Sequence, residues 1–213
     1  MRFCQDPAMA RDRDVEAFHQ RSPGYESGWR GGLHHRIADR AVDISIACVA
    51  APRRVLDLGC GTGYLLRQLA ARCPQATELV GLDPAAGMIE VATAANLDVR
   101  LHFIPGVAES VPYPDQHFDL VVSTTSFDHW ADQQAGLHEC ARVMAPGSYL
   151  VLTDLFSAVF TPTLLVGHRN RARTVRRASA LLAEAGFQSA TWQNLSGVTL
   201  LAGLVIRTAI ARK

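Results

Sequence analysis

Lysine is all but missing from this chain: the only one among 213 residues is Lys213. Arginine carries the positive charge instead, and acids balance it to a formal net charge of +1. With alanine so abundant, this bias reflects genome composition rather than a ligand. A chain so near neutrality shows no global pull toward nucleic acid or a membrane surface. No two of the five cysteines form a C-x-x-C pair, which speaks against a zinc ribbon, and no metal site is expected. An odd number at irregular spacing fits free thiols in a reducing cytosol. The opening stretch, MRFCQDPAMARDRD, has no apolar core of the kind a secretion signal needs. The longest apolar stretch, Val198–Ile206, is too short and too glycine-interrupted to cross a bilayer as a helix. These absences predict a cytoplasmic protein without a membrane anchor.

What is present is hydrophobic patterning. Nearly half the residues, 48%, are hydrophobic, enough for one substantial core. Residues 12–21 read as a short helix, and SPGYESGWRGG (22–32) reads as irregular because it holds four glycines and a proline. Leu33, Ile37, Ala41, Ile44 and Cys48 recur at helical spacing, so a helix is expected from Leu33 to about Ala50, with Pro52 ending it.

From residue 54 the pattern alternates. Apolar strands are expected at Arg54–Leu58, Leu79–Asp83, Val99–Ile104, Phe118–Ser123 and Tyr149–Thr153. Helices are expected at Tyr64–Arg72, from Pro84 to about Ala95, and from Gln133 to about Ala145, the last capped by Asp132. A further helix at about Thr174–Ala185 ends at Gly186, and two closing strands, Phe187–Leu195 and Val198–Ala209, join at Ser196-Gly197. The expectation is an α/β fold: a doubly wound, mostly parallel seven-stranded sheet with helices on both faces and a C-terminal antiparallel hairpin. One domain, 1–213, is expected: an N-terminal part to residue 50, a core over 51–154, and a short closing part over 155–213.

The segment VLDLGCGTGYL, Val55–Leu65, places Asp57 at the end of a strand and glycines at 59, 61 and 63. In an open parallel sheet the ligand lies outside the carboxyl ends of the strands. Glycines there let the backbone take positive φ and approach the ligand closely. The spacing G-x-G-x-G differs from the dinucleotide fingerprint G-x-G-x-x-G, and Asp57 would repel a pyrophosphate. A P-loop would end in Gly-Lys-Ser/Thr, which is absent. The Asp57 carboxylate instead calls for an ammonium donor. S-adenosylmethionine offers one, together with a ribose, an adenine and no phosphate. Asp83, ending the next strand, suits ribose hydroxyls, a helix N-cap, or both.

The segments VLDLGCGTGYL, GLDPAAGMIEVA, IPGVAESVPYPDQHFDLVVSTTSFDHW and ECARVMAPGSYLVLTD, with the later LLAEAGF, resemble a known family. It is that of class I, Rossmann-like S-adenosylmethionine-dependent methyltransferases related to those of ubiquinone and menaquinone biosynthesis. The resemblance implies that Asp57, Gly59, Cys60 and Gly61 line the methionine portion of the cofactor. It implies that Asp83 holds the ribose and that Pro84 and Met88 pack on the adenine, although Met88 also reads as a core position. Ala108 would offer its backbone N–H to the adenine. Family members place an acid just before that residue; here it is Val107, which costs about one hydrogen bond, 0.5–1.5 kcal/mol. Ser123 would give a backbone carbonyl to the ammonium.

SFDHW follows the fourth strand, where the family often has two histidines. His129 reads either as a general base or as a histidine that fixes the loop. SPGYESGWRGG resembles the segment that folds over the cofactor, with Tyr25 and Arg30 near the methionine carboxylate. HRNRARTVRR, 168–177, concentrates five arginines, as a solvated face or as an anion contact. Leu164, Leu165 and Val166 read as a pocket wall or as a homodimer contact. The function implied is methyl transfer from S-adenosylmethionine to O, N or C of a small molecule, releasing S-adenosylhomocysteine. Two alternatives stand beside it: a binding module without turnover and, less favoured, a nicotinamide oxidoreductase. Nucleic acid is disfavoured as a partner, because no Asn/Asp-Pro-Pro-aromatic signature follows the fourth strand.

Overall fold

The computed structural model describes residues 15–156, 174–199 and 205–213. Residues 15–21 are helical (α1) and pass through a 3-10 turn, Ser22–Gly24, into α2 (Gly28–Cys48). Then follow β1 (Arg54–Leu58), α3 (Tyr64–Arg72), β2 (Glu78–Asp83), α4 (Ala86–Ala94), β3 (Leu101–Pro105) and β4 (Phe118–Thr124). After a second 3-10 turn, Phe127–His129, come α5 (Gln133–Val143), β5 (Met144–Leu155), α6 (Val175–Glu184), β6 (Ser189–Thr199) and β7 (Val205–Arg212).

The seven strands form one sheet in the order β3-β2-β1-β4-β5-β7-β6. The first five run parallel, and β7 is antiparallel to both β5 and β6. This is the expected doubly wound sheet. The strands are apolar on both faces because both are covered. Val55, Leu79, Leu120, Val122 and Val151 pack with Ala41 of α2 and with Leu66 and Leu69 of α3. Their neighbours Leu56, Leu58, Val80, Leu82, Val121 and Leu150 pack with Leu137 of α5 and Leu182 of α6. The strand order reverses between β1 and β4, so a crevice opens where their carboxyl ends diverge.

The opposite rim is sewn shut. Asp119, at the start of β4, accepts the backbone N–H groups of Arg53 and Arg54 at 2.9 and 3.1 Å. There too His117 Nε2 meets Glu78 Oε2 at 2.7 Å.

Three expectations need correction. The glycine-rich stretch is not irregular throughout, because α2 already begins at Gly28. Its first turn folds back so tightly that a Cβ on Gly31 would fall 2.1 Å from the Glu26 carbonyl oxygen; glycine here permits a helix start rather than preventing a helix. Pro84 precedes α4 instead of opening it: the helix starts at Ala86, and Asp83 Oδ1 accepts the Ala85 N–H at 2.9 Å. The last two strands do not turn at Ser196-Gly197. Both residues lie within β6, where the register against β7 shifts between Asn194 and Thr199, so the small residues mark a strand irregularity.

Candidate active site

The cleft at the β1–β4 divergence begins with the glycine loop. The N–H groups of Gly59 and Cys60 both donate to Leu82 O, at 2.7 and 3.1 Å, which ties the loop to the end of β2. Gly59 has φ +73° and Gly61 φ +53°. A Cβ on Gly61 would meet nothing nearer than Tyr25 Cε1 at 4.0 Å, so it would project into open space where a ligand can lie against bare backbone.

Two acids flank this loop. Asp57 is 1% exposed, and its Oδ1 is buried with no hydrogen-bond partner. Burial, reinforced by the Asp83 charge, pushes its carboxyl up to about 8. Asp83 Oδ2 accepts the Gly61 N–H at 2.9 Å, and its other oxygen accepts the Ala85 N–H just ahead of α4. Burial raises the Asp83 carboxyl as well, against the pull of those two N–H groups and of His129. An orphaned buried carboxylate oxygen beside a second acid is a receptor for a cationic donor.

The cleft has two compartments. The larger spans about 790 Å³, open solvent at its mouth included. Asp83, Pro84, Met88, Val107, Ala108 and His129 line it, with Phe18 of α1 and Trp130. The smaller, about 480 Å³, is lined by Asp57, Cys60, Glu26, His34, His35 and Tyr64 among others. Tyr25, Gly59, Gly61, Thr124 and Thr125 line both. Each compartment carries one of the two acids, Asp83 in the larger and Asp57 in the smaller.

Nearly all the residues singled out from sequence therefore converge on one cleft. Ser123 does not reach it: it is fully buried, its hydroxyl 2.8 Å from Ser126 Oγ, and Thr124 and Thr125 form the wall in its place. Cys60 faces away from reactivity, because burial and the two acids drive its thiol well above the usual range. The Arg30 side chain, most of the 168–177 arginine cluster and Leu164–Val166 lie outside the described residues.

Ser126 locks the wall after β4. Its hydroxyl donates to Leu58 O at 2.9 Å and accepts from Trp130 Nε1 at 3.1 Å. Below the same 3-10 turn, Asp154 Oδ2 accepts the Asp128 N–H at 3.3 Å; burial raises this carboxyl to about 6.

The N-terminal segment roofs the cleft. His19 Nδ1 accepts the Gly87 N–H at 2.9 Å, which fastens α1 to α4. Phe18 meets His129 edge-on at 5.1 Å and Tyr25 at 6.3 Å, and Tyr25 tilts over His34 at 5.2 Å. Burial, with the Asp83 charge, raises the Tyr25 phenol to about 12, so it stays protonated. Glu26 accepts from Arg67 at 2.9 Å, while Arg67 also donates to Thr62 O at 2.6 Å. This pins the roof to the far side of the glycine loop. The pairing of Phe18 with His129 has no sequence signal, because it joins residues far apart in the chain.

Comparison with known proteins agrees with this geometry. Residues 56–152 match the methyltransferase domain family model. A demethylmenaquinone methyltransferase of Deinococcus radiodurans is 38% identical over 148 residues, covering 65% of this chain and 57% of that protein. One from Thermus thermophilus is 41% identical over 127 residues, covering 58% and 56%. A ubiquinone/menaquinone biosynthesis C-methyltransferase of Ectopseudomonas mendocina is 28% identical over 222 residues, covering 87% and 85%. The chain thus spans a little over half the length of the first two relatives. Among solved structures, the complex of the Haloferax volcanii Trm112 methyltransferase activator with a methyltransferase matches with TM-score 0.77 at 21% identity, covering 94% of this chain and 96% of that one. An S-adenosylmethionine-dependent methyltransferase from Mesorhizobium loti matches with TM-score 0.67 at 20% identity, covering 81% and 96%.

In sheet order, cleft and sequence the chain is similar to class I, Rossmann-like S-adenosylmethionine-dependent methyltransferases. Within that class the chain is related to the methyltransferases of ubiquinone and menaquinone biosynthesis. The residues present fit S-adenosylmethionine: Asp57 has an unfilled acceptor for an ammonium, and Gly61 leaves the backbone open. Among the described residues no helix is long and apolar enough to cross a membrane, and no group of acids, histidines or cysteines is placed to hold a metal ion.

Proposed function

We propose that this enzyme moves the methyl group of S-adenosylmethionine to a small-molecule acceptor, acting in the cytoplasm as one methyltransferase domain. The observation that carries the reading is the orphaned, buried Asp57 Oδ1 beside Asp83 at the head of neighbouring strands, both facing one cleft. When bound, the cofactor supplies a methyl carbon activated by a sulfonium. The acceptor's lone pair forms the new bond as the carbon–sulfur bond breaks, and that electron pair leaves on a neutral thioether. The protein's task is alignment.

In this reading Asp57, Gly59, Cys60 and Gly61 hold the amino-acid portion under the Tyr25 roof. Asp83 takes the ribose, and Pro84, Met88, Val107 and Ala108 enclose the adenine. The Ser123 carbonyl role passes to Thr124 or Thr125, which line both compartments. His129 lines the larger compartment and takes the acceptor's proton where the acceptor atom is oxygen or carbon; a neutral amine would not need it. Its similarity to the demethylmenaquinone and ubiquinone/menaquinone biosynthesis methyltransferases favours a quinone-like acceptor.

The test is a metabolite extract incubated with methyl-labelled cofactor. Label in an extractable small molecule supports the reading. No calorimetric binding of S-adenosylmethionine overturns it. With the acceptor found, His129→Ala should depress turnover about 100-fold, and an unchanged rate removes His129 from the chemistry. Sedimentation decides whether a second copy is a partner.

A further inference from the structure

Asp154 lies near the end of β5, buried, and lines neither compartment of the cleft. A carboxylate is costly to bury, and the neighbour that could neutralise this one turns away. Arg207 of β7 stands opposite Asp154 in the register, yet its Nε donates to Asn194 Oδ1 of β6 at 3.0 Å. Among the described residues, the hydrogen bonds of Asp154 go to backbone: Oδ1 accepts the Leu155 N–H at 2.7 Å, and Oδ2 accepts the Asp128 N–H at 3.3 Å. Asp128 is the middle residue of the 3-10 turn Phe127–His129, so the second bond grips the turn that carries His129. Burial, with the Asp128 charge, raises the Asp154 carboxyl against the pull of those two N–H groups and of His129.

His129 thus stands between two buried acids. The sheet order sets β1 and β4 between β2 and β5, and the turn with His129 follows β4. When charged, its ring draws on Asp83 at the end of β2 as well as on Asp154. From the roof, Phe18 meets the imidazole edge-on at 5.1 Å. The two acids have different work: Asp83 lines the larger compartment, whereas Asp154 reaches the site only through the turn it holds. Resting on the reading of His129 as the base, we propose that Asp154 is its positioning residue: it fixes the turn that aims the ring and supplies a counter-charge for the imidazolium. In the step itself, the acceptor's proton passes to a ring nitrogen of His129. The acceptor's electron pair takes the methyl carbon, and the carbon–sulfur pair leaves on the thioether. A neutral ring becomes a cation there, and a fixed, buried carboxylate stabilises a cation more than an exposed one does. Asp154 therefore favours the charges that develop during the transfer over those present before it, which is where rate is gained.

The experiment measures the initial rate of label transfer from methyl-labelled S-adenosylmethionine into a metabolite extract, with calorimetry of S-adenosylmethionine alongside. Asp154→Asn keeps the size of the side chain and one acceptor oxygen but removes the charge. It should slow transfer at saturating cofactor about tenfold and leave cofactor affinity within about twofold. In a His129→Ala background the same substitution should cost nothing further, since a residue that acts through His129 then has nothing to act on. Asp154→Ser, whose hydroxyl still accepts an N–H, serves the same cycle should the asparagine variant fail to fold. A loss that multiplies with that of His129→Ala assigns Asp154 a purely structural role and overturns the proposal. So does an unchanged rate, or a fall in cofactor affinity that matches the fall in rate. A wild-type protein that transfers no label sinks the methyltransferase reading itself, whereas transfer indifferent to position 154 sinks this inference alone.

Discussion

Gly59 and Ser126 interlock: a Cβ built on Gly59 would fall 2.3 Å from the Cβ of Ser126, whose hydroxyl is tied to Leu58 O and Trp130 Nε1. The glycine loop and the wall after β4 are therefore one rigid unit. Gly59→Ala adds a side chain at φ +73° against a neighbour that cannot give way. We expect a loss of about 2–4 kcal/mol in stability, read by denaturant unfolding, and a loss of cofactor binding. A variant that unfolds at the wild-type midpoint would show that the two loops are not locked.

Asp57 makes stability depend on pH. Its native carboxyl titrates near 8, far above an unfolded aspartate near 3.9. Between these values the native state holds a proton that the unfolded state has released, so this group's contribution to stability falls as pH rises and levels off above about 8. Asp57→Asn removes the dependence. Relative to wild type, the variant should gain stability as pH climbs from about 5 to about 8, by up to about 1.4 kcal/mol per unit. Parallel unfolding curves at every pH would contradict this. The same variant should bind S-adenosylmethionine more weakly, because an amide leaves the ammonium without a counter-charge.

Asp83 is shared between fold and ligand. Asp83→Ala frees the N–H groups of Gly61 and Ala85 and removes the proposed ribose acceptor. Cofactor affinity should drop by about 1–3 kcal/mol in calorimetry. Unchanged affinity would remove the ribose role.

Arg142 secures the far wall of the cleft. Its guanidinium donates to both oxygens of Glu139, to Asp115, and to the carbonyls of Val111 and Tyr113, all within 2.9 Å. Glu139 also accepts the Val111 N–H at 2.8 Å, so the loop that carries Val107 and Ala108 hangs on this pair. The side chain is about a third exposed, which limits its worth. Arg142→Lys cannot reproduce the fork. It should cost about 1–2 kcal/mol by thermal unfolding and loosen adenine-side binding. A melt and an affinity both at wild-type values would show the loop is held elsewhere.

The legible parts of this molecule were those where one physical cause dominates. β1 and α3 match their expected bounds residue for residue, because a doubly covered strand reads as an apolar run and the glycines that follow admit only a tight turn. Asp132 caps α5 as its residue type demands, accepting the N–H groups of Gln134 and Ala135. The less legible parts depend on neighbours distant in sequence. The glycines from Gly28 to Gly32 look like loop until Glu26 is seen packed against them. Thr125 takes φ +51° without being glycine, and no local pattern marks it as the residue that lines both compartments in place of Ser123. Asp154 reads as the polar residue after a strand; only its bond to the Asp128 N–H sets it apart.

The two rims of the sheet divide the labour of the chain. At one rim, Asp119 clasps the start of β1 and His117 meets Glu78, with no part in the cleft. At the other, β1, β2 and β4 open into loops whose residues line the cleft. Selection for a new acceptor has only to rewrite those loops, since the fastening that holds the strands together lies at the opposite rim of the sheet.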